Sequence, residues 1–184
     1  MEEKDLIFDW NAIDYEITRK PNNHPHELWF DDETLRDGLQ SPSAINPTIE
    51  QKIELIDFMG KIGIQKVDLG LPGAGPQHVE HIDSMLSHIK DRGYSLRPGC
   101  AVRTLVSDIE PLVDLQSKHE TQIQASAFLG TSPIRQYAEG WTMERIMSTA
   151  ESAVTFAVGN DIPVMFVTEA VSYTHLTLPT KRIV

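Results

Sequence analysis

The stretch D-E-T-L-R-D-G-L-Q, Asp32 to Gln40, begins one residue, Asp31, beyond apolar Leu28, Trp29 and Phe30 and carries Asp32, Glu33, Arg36 and Asp37. Three apolar residues in a row predict a short buried strand over 27–32. Such a strand ends either in a solvated turn or in a reactive centre. The residue types suit the second. Arg36 is a permanent cation, fit to sit beside an oxygen on which negative charge develops. Asp37 offers a hard anionic oxygen of the kind that binds Mg²⁺, Mn²⁺ or Zn²⁺. If the chain is still extended there, the two neighbours point to opposite sides, so one can bind a metal while the other reaches a substrate oxygen. Gly38 then allows a sharp backbone turn or the close approach of a ligand.

The elements around this stretch alternate. Strands are predicted over 27–32, 65–71, 96–102, 121–128 and 162–168, with helical periodicity between them. The first helix starts after Pro47 with a Thr48–Gln51 capping-box pattern and turns Ile49, Ile53, Ile56, Met59 and Ile62 to one face. The second, from Pro76 to Gly93, carries Val79, Ile82, Leu86 and Ile89. The third, Val106 to His119, carries Ile109, Leu112, Val113 and Leu115. The fourth starts near Thr142 with Met143, Ile146, Met147, Ala150, Val154 and Val158, and ends at Gly159 and Asn160, residues that tolerate positive φ. Strand–helix repetition of this kind means an α/β fold with a parallel sheet. It is either an open doubly wound sheet or part of a (βα)8 barrel. At 184 residues the chain is shorter than the roughly 250 of a complete barrel.

The opening stretch resembles the signature of the DRE-TIM metallolyase superfamily, D-x-T-L-R-D-G-x-Q at the end of the first barrel strand. That HMGL-like group includes 2-isopropylmalate, homocitrate and citramalate synthases and HMG-CoA lyase. The resemblance implies a partial TIM barrel of about five strands and four helices. It also implies a divalent metal (Mg, Mn or Zn), and acetyl-CoA and a 2-oxo acid as substrates. Asp37 becomes a metal ligand, Arg36 the catalytic electrostatic residue, and Gln40 a neighbour of the 2-oxo acid. V-D-L-G-L-P, 67–72, resembles the second-strand segment of the synthases, with Asp68 where Glu is commoner. HMG-CoA lyases carry a serine-rich stretch there, which favours the synthase side. Arg103 with Asp108 and Ile109 resembles the start of the third βα unit, where Arg103 either meets substrate or forms a helix-capping salt bridge. F-V-T-E-A, 166–170, places Glu169 where the family has a catalytic Glu ending strand five, although Ala170 replaces the usual Asp. Glu169 is thus the second catalytic candidate; Gln40, Asp68 and Arg103 are the substrate-binding ones.

The family's metal site is completed by a His-x-His on a late strand. His24-Pro25-His26 precedes strand one and belongs at the opposite face. His78 and His81 read as exposed residues of the second helix, and Cys100 as a small core residue. The G-L-P-G-A-G run, 70–75, lacks dinucleotide-fingerprint spacing and reads as a loop at the site mouth. Residues 1–26 form a polar lead-in, and 27–170 the N-terminal part of a barrel domain. V-S-Y-T-H-L-T-L-P-T-K-R-I-V, 171–184, resembles a translated adaptor sequence rather than natural protein. The expected parent is a homodimeric, cytoplasmic acyltransferase of amino-acid biosynthesis, and the truncated chain itself is expected to be inactive. An acyl-CoA lyase and a non-enzymatic open α/β binding module are the alternatives. A net charge of −11 speaks against nucleic-acid or anionic-membrane partners, and a single cysteine excludes an internal disulfide.

Overall fold

The computed structural model describes residues 29–40, 42–131 and 133–169. The lead-in 1–26 with His24 and His26, Leu28, and the segment from Ala170 to Val184 with His175 lie outside the described residues. The strands are β1 (Asp31–Asp32), β2 (Lys66–Asp68), β3 (Arg97–Arg103), β4 (Gln124–Gly130) and β5 (Val164–Glu169). The helices are α1 (Ile49–Ile62), α2 (Pro76–Arg92), α3 (Val106–His119), α4 (Pro133–Glu139) and α5 (Met143–Gly159). The sheet order is β1-β2-β3-β4-β5. The pairings of β1 with β2, β2 with β3 and β3 with β4 are parallel, in registers that include Asp32 opposite Val67 and Asp68 opposite Gly99. A doubly wound sheet reverses its order at a switch point. This one never does, so the strands form successive staves of a (βα) barrel wall.

Local chemistry fixes the helix ends. Thr48 Oγ1 accepts the Gln51 amide at 3.4 Å, and Gln51 Oε1 accepts the Thr48 amide at 2.9 Å, a complete capping box. Gly63 and Gly93 close α1 and α2 at φ +80 and +66, where a Cβ is unfavourable. After α5 the positive φ falls on Asp161, at +56, and not on Gly159 or Asn160.

The core lies between the helices and one face of the sheet. Ile56 and Met59 of α1, Ile82, Met85 and Leu86 of α2, and Ile109 and Leu112 of α3 bury against Val67, Val102 and Ala125. Ile62, at the predicted inner face, is 74% exposed, because it falls in the last turn beyond the sheet contact. On α5 the buried residues are Ile146, Ala153 and Ala157, while Met143, Met147 and Val158 form an exposed apolar stripe. The sequence pattern had merged these two faces. Trp29 and Phe30 are not a buried strand. They are 42% and 70% exposed; the Phe30 carbonyl accepts the Lys66 amide at 3.0 Å, and the register pairs of β1 start at Asp31. Trp29 instead lies under the Arg97 guanidinium, 3.8 Å from its ring centre.

By internal contacts the chain divides into two compact units. One holds residues 29–129 and 143–167, and with them the core and the site described below. The described residues of the other include α4, a seven-residue helix absent from the sequence prediction. There Arg135 pairs with Glu139 at 3.4 Å and Gln136 Nε2 donates to the Thr131 carbonyl.

Candidate active site

The charged stretch leaves β1 through a turn built by its own side chains. Asp32 Oδ1 accepts the Thr34 amide at 2.9 Å, and the Glu33 carbonyl accepts the amides of Arg36 and Gly38 at 3.1 and 3.2 Å. Leu35 is buried and pins the turn to the core. Asp37–Gln40 then form a 3₁₀ turn. The backbone is therefore not extended at Arg36, and the expectation that Arg36 and Asp37 point apart does not hold. Arg36 Nη1 donates to Asp37 Oδ1 at 3.1 Å.

Arg36 is gripped from three sides. Besides Asp37 it meets Glu33 through Nη2 and Asp68 through Nε, the last at 3.3 Å. Asp68 ends β2, and its side chain is buried. Its Oδ1 accepts the amides of Gly70 and Ala101 at 3.0 and 3.3 Å, so the carboxylate ties β1, β2 and β3 together at their carboxyl ends. Burial pushes the Asp68 carboxyl up from an ordinary 3.8 to about 6, against the pull of the Gly70 and Ala101 amides and of Arg36. Three carboxylates around one guanidinium leave two excess negative charges when all are ionised. That excess suits a divalent cation. Asp37, 68% exposed, holds the outermost oxygens of the cluster. Among the described residues, however, no three His, Cys, Asp or Glu side chains converge as a set that could hold an ion.

The remaining candidates fall in different places. Gln40 and Arg36 line one cavity of about 180 Å³ with Leu69, Gly70 and Ala74. Arg103, last residue of β3, is held by Asp108 in a bidentate pair, Nε to Oδ2 and Nη2 to Oδ1, each at 2.7 Å. Asp108 is buried in the first turn of α3, so of the two roles open to Arg103 the structure displays the helix-capping salt bridge. The pair also lines a wider groove of about 860 Å³ between α2 and α3, which touches neither Arg36 nor Asp37. Glu169 is the last residue of β5; its side chain is not among those described.

Gly38 does not need its freedom for the turn. Its φ is not positive, and an added Cβ would meet nothing nearer than 3.8 Å. Gly73 does need to be glycine, since a Cβ there would stand 2.3 Å from Asp108 Oδ2. Sequence reading missed two features. One is the direct reach of Asp68 to Arg36. The other is Lys52, a buried cation in α1 facing His81 of α2.

A parallel sheet in unbroken sequence order defines part of a βα barrel, with a guanidinium clasped by carboxylates at the ends of its first two strands. The chain matches the HMGL-like family model over residues 27–178, a stretch that runs past Ala170. It is 32% identical over 148 residues to 2-isopropylmalate synthase of Streptococcus gallolyticus (strain UCN34), covering 80% of this chain and 27% of that protein. Against homocitrate synthase AksA of Methanosarcina acetivorans it is 27% identical over 153 residues, 83% of this chain and 35% of the relative. Homocitrate synthase AksA of Methanopyrus kandleri is 28% identical over 70% of this chain and 31% of its own length. This chain belongs to the HMGL-like family. It spans about a quarter to a third of the length of these relatives.

Proposed function

We propose that this chain is the N-terminal part of a divalent-metal-dependent acyltransferase that condenses acetyl-CoA with a 2-oxo acid, as in the 2-isopropylmalate, homocitrate and citramalate synthases. Synthase-named relatives and family membership support the class. The observation that carries the reading is the Arg36 cluster, one cation fixed among three carboxylates at the ends of β1 and β2.

Arg36 is held in place by Glu33, Asp37 and Asp68, so its charge is oriented before any substrate arrives. A fixed cation of this kind stabilises an oxygen that turns anionic during C–C bond formation. Asp37 is the first protein arm of the metal site, and further ligands come from a longer parent. A bound divalent ion supplies Lewis-acid polarisation of the oxo acid. Gln40, in the same cavity as Arg36, orients the oxo acid, and Glu169 serves acid–base chemistry at the end of β5. Arg103 acts on substrate only if it leaves Asp108 or contacts it with the edge not engaged there. As part of this reading, the protein works in amino-acid biosynthesis in the cytoplasm.

Metal titration of the full-length parent tests the role of Asp37. Asp37→Asn keeps the shape and removes the charge, so Mg²⁺ or Mn²⁺ affinity falls clearly below that of the unmodified protein. Equal affinity in the two would remove Asp37 from the metal site.

A further inference from the structure

Lys52 is buried in the second turn of α1, 6% exposed, yet no carboxylate pairs with it among the described residues. The two buried carboxylates each meet a guanidinium, Asp68 with Arg36 and Asp108 with Arg103, and buried His119 hydrogen-bonds the Asp83 carboxylate. Lys52 instead meets an imidazole among the described residues, with Nζ 3.2 Å from His81 Nδ1. An ammonium carries three donors and one ring nitrogen takes one of them. Burial holds the Lys52 pKa down. Burial, Lys52 and His78 together hold that of His81 down, while Glu80 and Glu50 act on it more weakly in the other direction.

Two cavities, of about 180 and 370 Å³, share Asn46, Lys52, His78 and His81 in their walls. The smaller is the one that Arg36 and Gln40 also line. The larger is lined by Ile49, Glu50 and Gln77, in the first turns of α1 and α2, whose amide ends favour negative charge. We propose that this is an oxyanion site, in which a carboxylate or phosphate group enters between α1 and α2 and accepts hydrogen bonds from Lys52 Nζ, flanked by Asn46 and His78. The anion gives the buried ammonium the counter-charge that none of the described residues supplies. A cavity of this size takes a single such group on a short stem. The site does not rest on the synthase reading. Metal binding at Asp37 can fail with anion binding intact, and the reverse.

The test is a titration of the protein with inorganic phosphate at fixed pH and ionic strength, read by the imidazole ¹H–¹⁵N resonances of His78 and His81. Both resonances shift saturably with phosphate and not with chloride, and Lys52→Met weakens the affinity about tenfold or more. His78→Leu, at an exposed position, weakens it several-fold and keeps the test decisive if Lys52→Met does not fold. Parallel titrations with 2-oxoglutarate and 2-oxoisovalerate assign the source. Saturable shifts with the dicarboxylate alone identify a distal carboxylate as the natural group, whereas saturable shifts with phosphate alone identify a phosphate. No saturable shift with any of these anions, or shifts unchanged by both substitutions, would overturn the proposal.

Discussion

Asp68 is one methylene shorter than the Glu that resembling synthases carry there, and it still reaches Arg36. It does so because it ends β2 next to β1 and its other oxygen is anchored by two backbone amides. The cost is a buried carboxyl with a pKa near 6. The folded state thus binds its proton more tightly than the unfolded chain. Between pH 3.8 and about 6 the native form holds more protons, and stability falls as pH rises through that window. At neutral pH the loss is on the order of 3 kcal/mol. Asp68→Asn abolishes that slope, so chemical denaturation of the two proteins at pH 4 and pH 7 shows the gap between them moving in the variant's favour. Parallel pH profiles would contradict the buried, perturbed carboxyl. Arg36→Ala lowers turnover of the full-length parent by roughly 10²–10³, the usual loss for one fixed electrostatic donor. It also raises the Asp68 pKa further, because a charge that holds it down is gone. Steady-state kinetics and a carboxyl NMR titration check the two effects separately.

At the scale of elements, Gly38 and Gly73, both in βα loops, behave differently. Gly73→Ala drives a methyl into the Asp108 carboxylate that holds Arg103. Thermal unfolding should show a loss of about 1–3 kcal/mol, the range for overpacking a filled site. Gly38→Ala has room and should stay within about 0.5 kcal/mol of the parent. If it nevertheless lowers turnover, the glycine serves a ligand's approach and not the turn. Much of this level was legible in the sequence. Strand–helix alternation, the Thr48–Gln51 box, and the glycine after α2 are local signals, and all appear in the structure. The failures share a cause. Trp29 and Phe30 are apolar but precede the first ladder pair, so burial depended on a partner strand that periodicity cannot register. On α5 a single helical period could not separate the face packed on the core from the stripe left exposed. The Arg36–Asp68 and Lys52–His81 contacts join residues 32 and 29 positions apart, and nothing in either local stretch announces them.

At the scale of the whole molecule, the sheet order of the described residues places β1 and β5 at its two edges. β5 is six residues long, with Phe166 40% exposed, a template for pairing with another chain. Phe166→Lys therefore reduces concentration-dependent self-association of the chain, as light scattering would show. Scattering that is flat with concentration before any substitution would argue against an open edge. The central claim concerns chemistry, and thioester turnover in the full-length parent tests it most directly. With acetyl-CoA and a divalent ion present, release of free CoA thiol should depend on an added 2-oxo acid and disappear in Arg36→Ala. Cleavage of HMG-CoA with no 2-oxo-acid-dependent release from acetyl-CoA would contradict the synthase account.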